Sequence, residues 1–386
     1  MGLSEEEAVR RRVRDLLADH PPGQPAESVF WGARFDAGLA WVGHPVGCGG
    51  MAVAPGLQVV VDELLAAAGA PPNWYRNPVG IGAVAAALLA WGTDAQRQRW
   101  LRPLFTCEEV WCQLYSEPGA GSDLAAVSTT AAPTVEGVTW TVAGHKTYST
   151  LAHVARWGLL LARTHPERPP HQGLTCFALD LATPVVEVRP LRQMDGDAEF
   201  DEVAISVAEL PDSHRIGPAG EGWSVAMATL VSERLALAGA TRARDEGPIA
   251  EALRLWHERE PSLGDDAVMR DRVAAAWIDA EVARLLVERL RAGVVSGSPG
   301  PEAAMAKLAA GEADQRVWDL CIDLLGPEGT LYDDWSFHAP EAAGEARRDP
   351  RRAWLRSRAL TIQGGTSEIV RTLVGERVLG LPREPG

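Results

Sequence analysis

Trp111-Cys-Gln-Leu-Tyr-Ser-Glu-Pro-Gly-Ala-Gly-Ser-Asp-Leu124 is the stretch whose reading decides the fold. A short β-prone run, Val110 to Tyr115, stops at Ser116-Glu117-Pro118 and passes into a loop of small residues. Gly119 and Gly121 let backbone approach a flat or anionic ligand, because no Cβ stands in the way. Ser116 and Ser122 bracket the loop with hydroxyls that can donate and accept hydrogen bonds. An ordinary strand-to-loop turn has the same ingredients, so the string acquires meaning only from what surrounds it.

Before it, the chain reads as helices. Ser4 and Glu7 form a capping box, and Val9, Val13, Leu16 and Leu17 recur at helical spacing. Further helical stretches are expected over Gln58 to Ala68, Gly80 to Trp91 and Asp94 to Leu104. From Val110 to about Ile216 short β-prone runs alternate with turn signals: Thr139 to Val142, Trp157 to Ala162, Leu174 to Asp180, Val185 to Pro190 and Glu202 to Ile205. After Gly220-Glu-Gly222 helices return over Trp223 to Ala243, Ile249 to Glu258, Val268 to Ala292, Glu302 to Leu325 and Thr366 to Leu379, with a polar surface loop at Asp334 to Pro350. The expected class is α+β, mostly α. It comprises an N-terminal helical domain (1–109), a small antiparallel β-barrel-like domain (110–218) and a C-terminal four-helix bundle (219–386).

At 386 residues the chain exceeds the usual size of a single core. A net charge of −15 leaves no basic patch for phosphates, which argues against a nucleic-acid partner. No apolar run reaches membrane-spanning length, and with no signal-peptide core the expected location is the cytoplasm. Cys48, Cys107, Cys112, Cys176 and Cys321 form neither a Cys-x-x-Cys pair nor an even set, and read as reduced, mostly buried thiols. No metal site is expected, since neither the cysteines nor the histidines show ligand spacing.

The Trp111–Leu124 string resembles the flavin-binding signature of the acyl-CoA dehydrogenase family. Leu360-Thr-Ile-Gln-Gly-Gly-Thr-Ser-Glu-Ile-Val-Arg371, continued as far as Arg383, is similar to the second family signature. Gly144-His-Lys146-Thr-Tyr-Ser-Thr150, Phe200-Asp-Glu-Val203 and Gly220-Glu-Gly-Trp223 add weaker matches in the same order. The resemblance implies FAD as cofactor, an acyl-CoA or carrier-bound acyl thioester as substrate, an electron-transfer flavoprotein as acceptor and an oligomer, homo- or heteromeric, dimer or tetramer. It places Gln113, Leu114, Tyr115 and Ser116 along the flavin ring, with Gly121 in the loop beside it. Tyr148 would lie over a ring face, with Ser149 next to it and Thr150 near N5. Ser122 would reach the tail of the substrate. Thr366 and Glu368 would lie near the FAD pyrophosphate and adenosine, and Asp323 and Gly326 in the inter-subunit part of the site. Without the resemblance, Tyr148 and Thr150 read as ordinary strand residues.

The chemistry needs a base for the α-proton of a weakly acidic thioester and fixed donors for the carbonyl oxygen. Many family members carry a glutamate two residues before the threonine of the second signature; here that position is Gly364. A second family solution places the glutamate on the first long bundle helix before an arginine, and Ser232-Glu233-Arg234 fits it. Ala226, Leu230, Glu233, Leu237 and Ala240 share an apolar stripe, so Glu233 is a carboxylate on a face expected to be buried. An ion pair with a neighbouring arginine is the competing reading. Arg234 would orient the substrate, and the Gly364 N–H would face the carbonyl.

Two departures bear on cofactor binding. The Arg-x-x-Phe-Gly motif of many members is missing over Leu253 to Asp266, and the Gln-x-x-Gly-Gly-type element is altered to Asp323-Leu-Leu-Gly-Pro327. Three readings are open: a dehydrogenase, an oxygen-using flavin oxidase or monooxygenase on the same fold, and a non-catalytic subunit completing a partner's site.

Overall fold

A computed structural model describes residues 4–24, 26–134, 138–239, 243–258, 266–295, 302–332, 336–342 and 349–382; within these, the side chains of 233–239, 291, 294–295 and 302 lie outside the description. Two compact units divide the chain. The first holds Met1–Leu191, Ala198–Glu233 and Ala339–Glu345; the second holds Arg192–Asp197, Arg234–His338 and Ala346–Gly386.

The first unit opens with helices α1 (Glu5–Asp19), α2 (Glu27–Asp36), α3 (Gln58–Ala67), α4 (Ala85–Trp91) and α5 (Asp94–Phe105). The expected Ser4/Glu7 capping box is formed, and Thr93 and Gln96 make a second one at α5. These reciprocal bonds satisfy amides that a helix start otherwise leaves without acceptors. One turn of π-helix, Gly80–Val84, leads into α4.

The strands are β1 (Trp111–Leu114), β2 (Thr130–Pro133), β3 (Thr139–Thr150), β4 (Trp157–Arg163), β5 (Leu174–Asp180), β6 (Val186–Leu191), β7 (Phe200–Pro211) and β8 (Arg215–Ile216). They form one sheet in the order β6-β7-β3-β2-β4-β5-β8, with β1 added on β4. Pairing is antiparallel except for β1 with β4 and the single Thr130–Arg163 step between β2 and β4. β4 and β5 read as unbroken apolar runs because both faces are covered. Leu159, Leu161, Cys176 and Ala178 face a core shared with the helices, while Leu160, Ala162, Phe177 and Leu179 face Trp140, Val142, Val203 and Leu210 inside the curved sheet.

Helix α6 (Gly222–Gly239) starts in the first unit, where Val225 and Ala226 join the helical core. Among its described side chains the buried positions after Gly222 are Val225, Ala226 and Thr229, with Leu230 only half-buried. The apolar stripe is therefore rotated slightly from the expected one; Leu237 as a side chain and Ala240 lie outside the described residues.

In the second unit α7 (Pro248–Glu258), α8 (Ala267–Val295) and α9 (Glu302–Leu325) pack around Ile249, Ala252, Val273, Ala276, Val317, Leu320 and Cys321. α10 (Pro350–Ser357), with Pro350 in its first turn and the Asp349 carboxylate capping the Arg351 amide, extends the expected set of helices. α11 (Ser367–Leu373) passes into one π-helical turn, Val374–Val378. Among the described residues no helix is long and apolar enough to cross a membrane.

Candidate active site

β1 alternates its side chains between two interiors. Cys112 and Leu114 point into the sheet core, while Trp111 and Tyr115 point to the helical core, which puts Gln113 on the helix-facing side with them. There the Gln113 amide donates to Thr229 Oγ1 on α6 at 3.1 Å. Tyr115 Oη lies 2.9 Å from the same oxygen, and the Thr229 hydroxyl donates to the Ala226 carbonyl at 2.7 Å.

The loop after β1 is anchored by a buried ion pair. Lys146 Nζ on β3 donates to Glu117 Oε1 at 2.8 Å, to the Tyr115 carbonyl at 3.0 Å and to the Leu161 carbonyl at 2.8 Å. These three acceptors match the three ammonium donors. Glu117 also accepts from the Ser128 amide and hydroxyl and from the Thr129 amide. Burial raises the Glu117 carboxyl, but the Lys146 charge and these hydrogen bonds outweigh it and hold it down to about 2. Burial pulls the Lys146 ammonium down to about 8, against the attraction of Glu117. The Thr147 amide donates to the Ser116 carbonyl at 2.9 Å, so the loop lies against β3.

Past Glu117 the chain closes on itself, with Glu117 and Ala120 exchanging backbone hydrogen bonds of 3.0 Å. A Cβ at Gly119 or Gly121 would meet nothing within 4 Å, and neither residue has a positive φ. Neither packing nor backbone conformation within the chain demands glycine here, which fits a ligand lying close over this backbone. Ser122 is exposed on the same loop.

β3 bulges between Lys146 and Ser149 where it pairs with β7. The bulge gives Tyr148 a φ of +55° and leaves it 68% exposed, its ring edge-on to Phe200 at 6.3 Å. A large aromatic left uncovered in a strained conformation fits a stacking surface for a flat ring. Next to it, the fully buried Ser149 hydroxyl has no hydrogen-bond partner among the described residues, and Thr150 is half-buried. The residues present therefore fit a flavin.

The first unit thus gathers Gln113 to Ser116, Gly121, Ser122 and Tyr148 to Thr150, together with the α6 backbone that carries Glu233. The side chains of Glu233 and Arg234 lie outside the described residues. The other expected residues belong to the second unit. Asp323 pairs with Arg272, and Gly326 has a φ of +59°. Gly364 and Gly365 have φ of +66° and +100°, and Lys307 Nζ donates to the Gly365 carbonyl. Thr366 caps α11 by accepting from the Ile369 amide, and Glu368 is exposed in its first turn.

Sequence reading missed Thr229, Glu117 and Lys146 as a working set. Thr229 left a signal: a polar side chain on the apolar face of α6, one turn before Glu233. Glu117 and Lys146 lie inside the quoted strings, but their pairing depends on β3 folding beside β1, which no local pattern encodes.

Comparison with known proteins agrees along the whole chain. Residues 4–108, 112–205 and 220–379 match the models of the acyl-CoA dehydrogenase N-terminal, middle and C-terminal domains. Acyl-CoA dehydrogenase IpdE1 of Mycobacterium tuberculosis is 34% identical, with 99% of each chain covered. Acyl-CoA dehydrogenase FadE34 of the same organism is 35% identical over 86% of this chain and 44% of its own length. Among solved structures, the ChsE4–ChsE5 complex from Mycobacterium tuberculosis superposes with a TM-score of 0.72 at 25% identity, covering 100% of this chain and 99% of that one. The chain belongs to the acyl-CoA dehydrogenase family of FAD-dependent oxidoreductases.

Proposed function

We propose that the chain oxidises an acyl-CoA thioester to the trans-2-enoyl thioester, with Glu233 as the base. The observation that carries this reading is the Thr229 junction: it fixes α6 against the flavin strand one helical turn before Glu233. Residues four apart share a helix face, so the sequence sets Glu233 one turn after Thr229 in the same helical register. Gly364, with no side chain, leaves the α-proton to that carboxylate.

The Glu233 carboxylate takes the α-proton as the α C–H bond breaks, and the electron pair left behind becomes the new α,β double bond. Bound FAD supplies the acceptor for the hydride leaving the β-carbon. As the thioester oxygen gains charge, the Gly364 N–H donates to it, which lowers the barrier to enolisation. Gln113 to Ser116, Gly121 and Tyr148 to Thr150 hold the flavin ring, and Ser122 and Arg234 hold the thioester. Thr366 and Glu368 would serve the distal half of FAD.

Proton exchange isolates the first step. Incubated in D2O with an acyl-CoA that the native enzyme oxidises, Glu233→Gln is expected to leave the α-hydrogen undeuterated. Exchange at the native rate would overturn the assignment.

We further propose that the protein works as an oligomer, with a related partner chain completing the FAD site and an electron-transfer flavoprotein accepting the electrons. The altered Asp323–Pro327 element supports this, since Asp323 is engaged by Arg272 within its own unit. Leu253 to Glu258 lacks the arginine motif, and residues 259–265 lie outside the described residues. Full flavin occupancy in a homo-oligomer purified alone would remove the need for a partner chain.

A further inference from the structure

We infer that Thr229 is a positioning residue for the reaction: its hydroxyl locks the rotation and height of α6 against β1, and so sets where Glu233 meets the substrate's α-carbon. The inference rests on the assignment of Glu233 as the base.

Stoichiometry at the Thr229 oxygen carries the argument. A hydroxyl has one proton to give and two lone pairs to receive with. The proton goes to the Ala226 carbonyl, 2.7 Å away on the preceding turn. The oxygen also meets the Gln113 amide of β1, which donates to it at 3.1 Å, and the hydroxyl of Tyr115, the residue just after β1, at 2.9 Å. Thr229 is fully buried and Tyr115 5% exposed, while Gln113 is half-buried. Thr229 is sealed from water, so losing these bonds would leave its oxygen with no solvent to replace them.

Gln113 on β1 and Tyr115 just past its end converge on one atom of the helix. Contacts arriving from two successive side chains on the same face, Gln113 and Tyr115, oppose both rolling and sliding of α6. Val225 and Ala226 pack on the same core one turn earlier, but apolar contacts tolerate small slips. The hydroxyl does not, because hydrogen bonds weaken steeply with distance and angle. Glu233 lies four residues on, so a roll at Thr229 is transmitted to it through one turn of helix.

Thr229→Val removes the hydroxyl but keeps the branched shape, and Thr229→Ser restores the hydroxyl without the methyl. The probe is whichever acyl-CoA, from a panel of straight-chain, branched and steroid-side-chain thioesters, bleaches the native flavin fastest. For Thr229→Val the expected result is a fall in kcat of about 10²-fold, the scale of an ångström-sized misplacement, with KM and FAD content near native. Thr229→Ser should recover most of the rate. Tyr115→Phe, which removes one donor and keeps the hydroxyl, should fall between the two. Backbone amide exchange over 229–239 should quicken in Thr229→Val and not in Thr229→Ser, a reading independent of substrate.

A Thr229→Val kcat within twofold of native, or equal losses in the Val and Ser variants, would overturn the inference. So would a loss that merely tracks released FAD or a lowered melting temperature. Glu233→Gln separates the two ideas. If that variant stays active, the base assignment falls. If it is inactive while Thr229→Val is native-like, only the positioning role falls.

Discussion

Lys146 Nζ and Glu117 Oε1 meet at 2.8 Å with both side chains buried, and through this contact β3 holds the loop that follows β1. The Gly144–Thr150 string and the Trp111–Leu124 string are thus one structure: the first supplies the ammonium, the second the carboxylate. Removing one partner leaves the other charge buried and uncompensated. Lys146→Met is expected to lower unfolding free energy by about 3–5 kcal/mol, measured by urea denaturation. A loss below about 1 kcal/mol, the scale of an exposed pair, would contradict this account of the loop.

The same pair sets an acid dependence. Glu117 titrates below its ordinary range in the folded protein, at about 2, so its contribution is present above the unfolded carboxyl value and is lost as pH falls toward 2. Native stability should decline between about pH 5 and pH 2 more steeply than that of Glu117→Gln, the difference being read from melting temperatures across that range. Parallel curves for the two proteins would show that the carboxylate is not the source.

Gly121 faces open space with a backbone conformation any residue can adopt. Gly121→Val should therefore change apoprotein stability by no more than about 0.5 kcal/mol, the usual range for a surface substitution. FAD retention through gel filtration should nevertheless fall sharply, because the side chain would project where the ligand approaches. Native flavin content in Gly121→Val would remove the loop from the cofactor site.

His153 clasps the segment around Pro340. Its Nδ1 lies 2.9 Å from Asp201 Oδ2 and its Nε2 lies 2.8 Å from the Pro340 carbonyl, so both ring nitrogens face acceptors. The Asp201 hydrogen bond and the Pro340 carbonyl outweigh burial and raise the imidazole above its ordinary value. A raised value gives stability that is complete below the unfolded histidine range and is lost as pH rises through the folded one. Amide exchange over residues 338–342 should accelerate as pH passes upward through that value, beyond the intrinsic rise in exchange rate. In His153→Gln that extra step should disappear; an equal step in the variant would place its origin elsewhere.

Much of this was legible in the chain. The Ser4/Glu7 cap, the β-prone runs and the long C-terminal helices follow from local patterns, and the two quoted strings identified the family. What escaped was contact between segments distant in sequence. Lys146 reads as one more strand lysine until β3 lies beside β1, and Thr229 reads as a helix filler until Gln113 and Tyr115 reach it. The stripe on α6 shows the same limit. Periodicity favoured Leu230, whereas packing buried Val225, Ala226 and Thr229, because the neighbouring core decides which edge of a broad apolar face is covered. Tyr148 is a further case, since its left-handed backbone arises from a register shift between β3 and β7 rather than from its own preferences.

Rapid mixing under anaerobic conditions tests whether Glu233 is the base. Glu233→Gln, loaded with FAD and mixed with the acyl-CoA that native enzyme oxidises fastest, is predicted to keep its yellow flavin, with bleaching slowed by at least about 10²–10⁴-fold, the share a positioned base contributes. Flavin bleaching at close to the native rate in that variant would contradict the account.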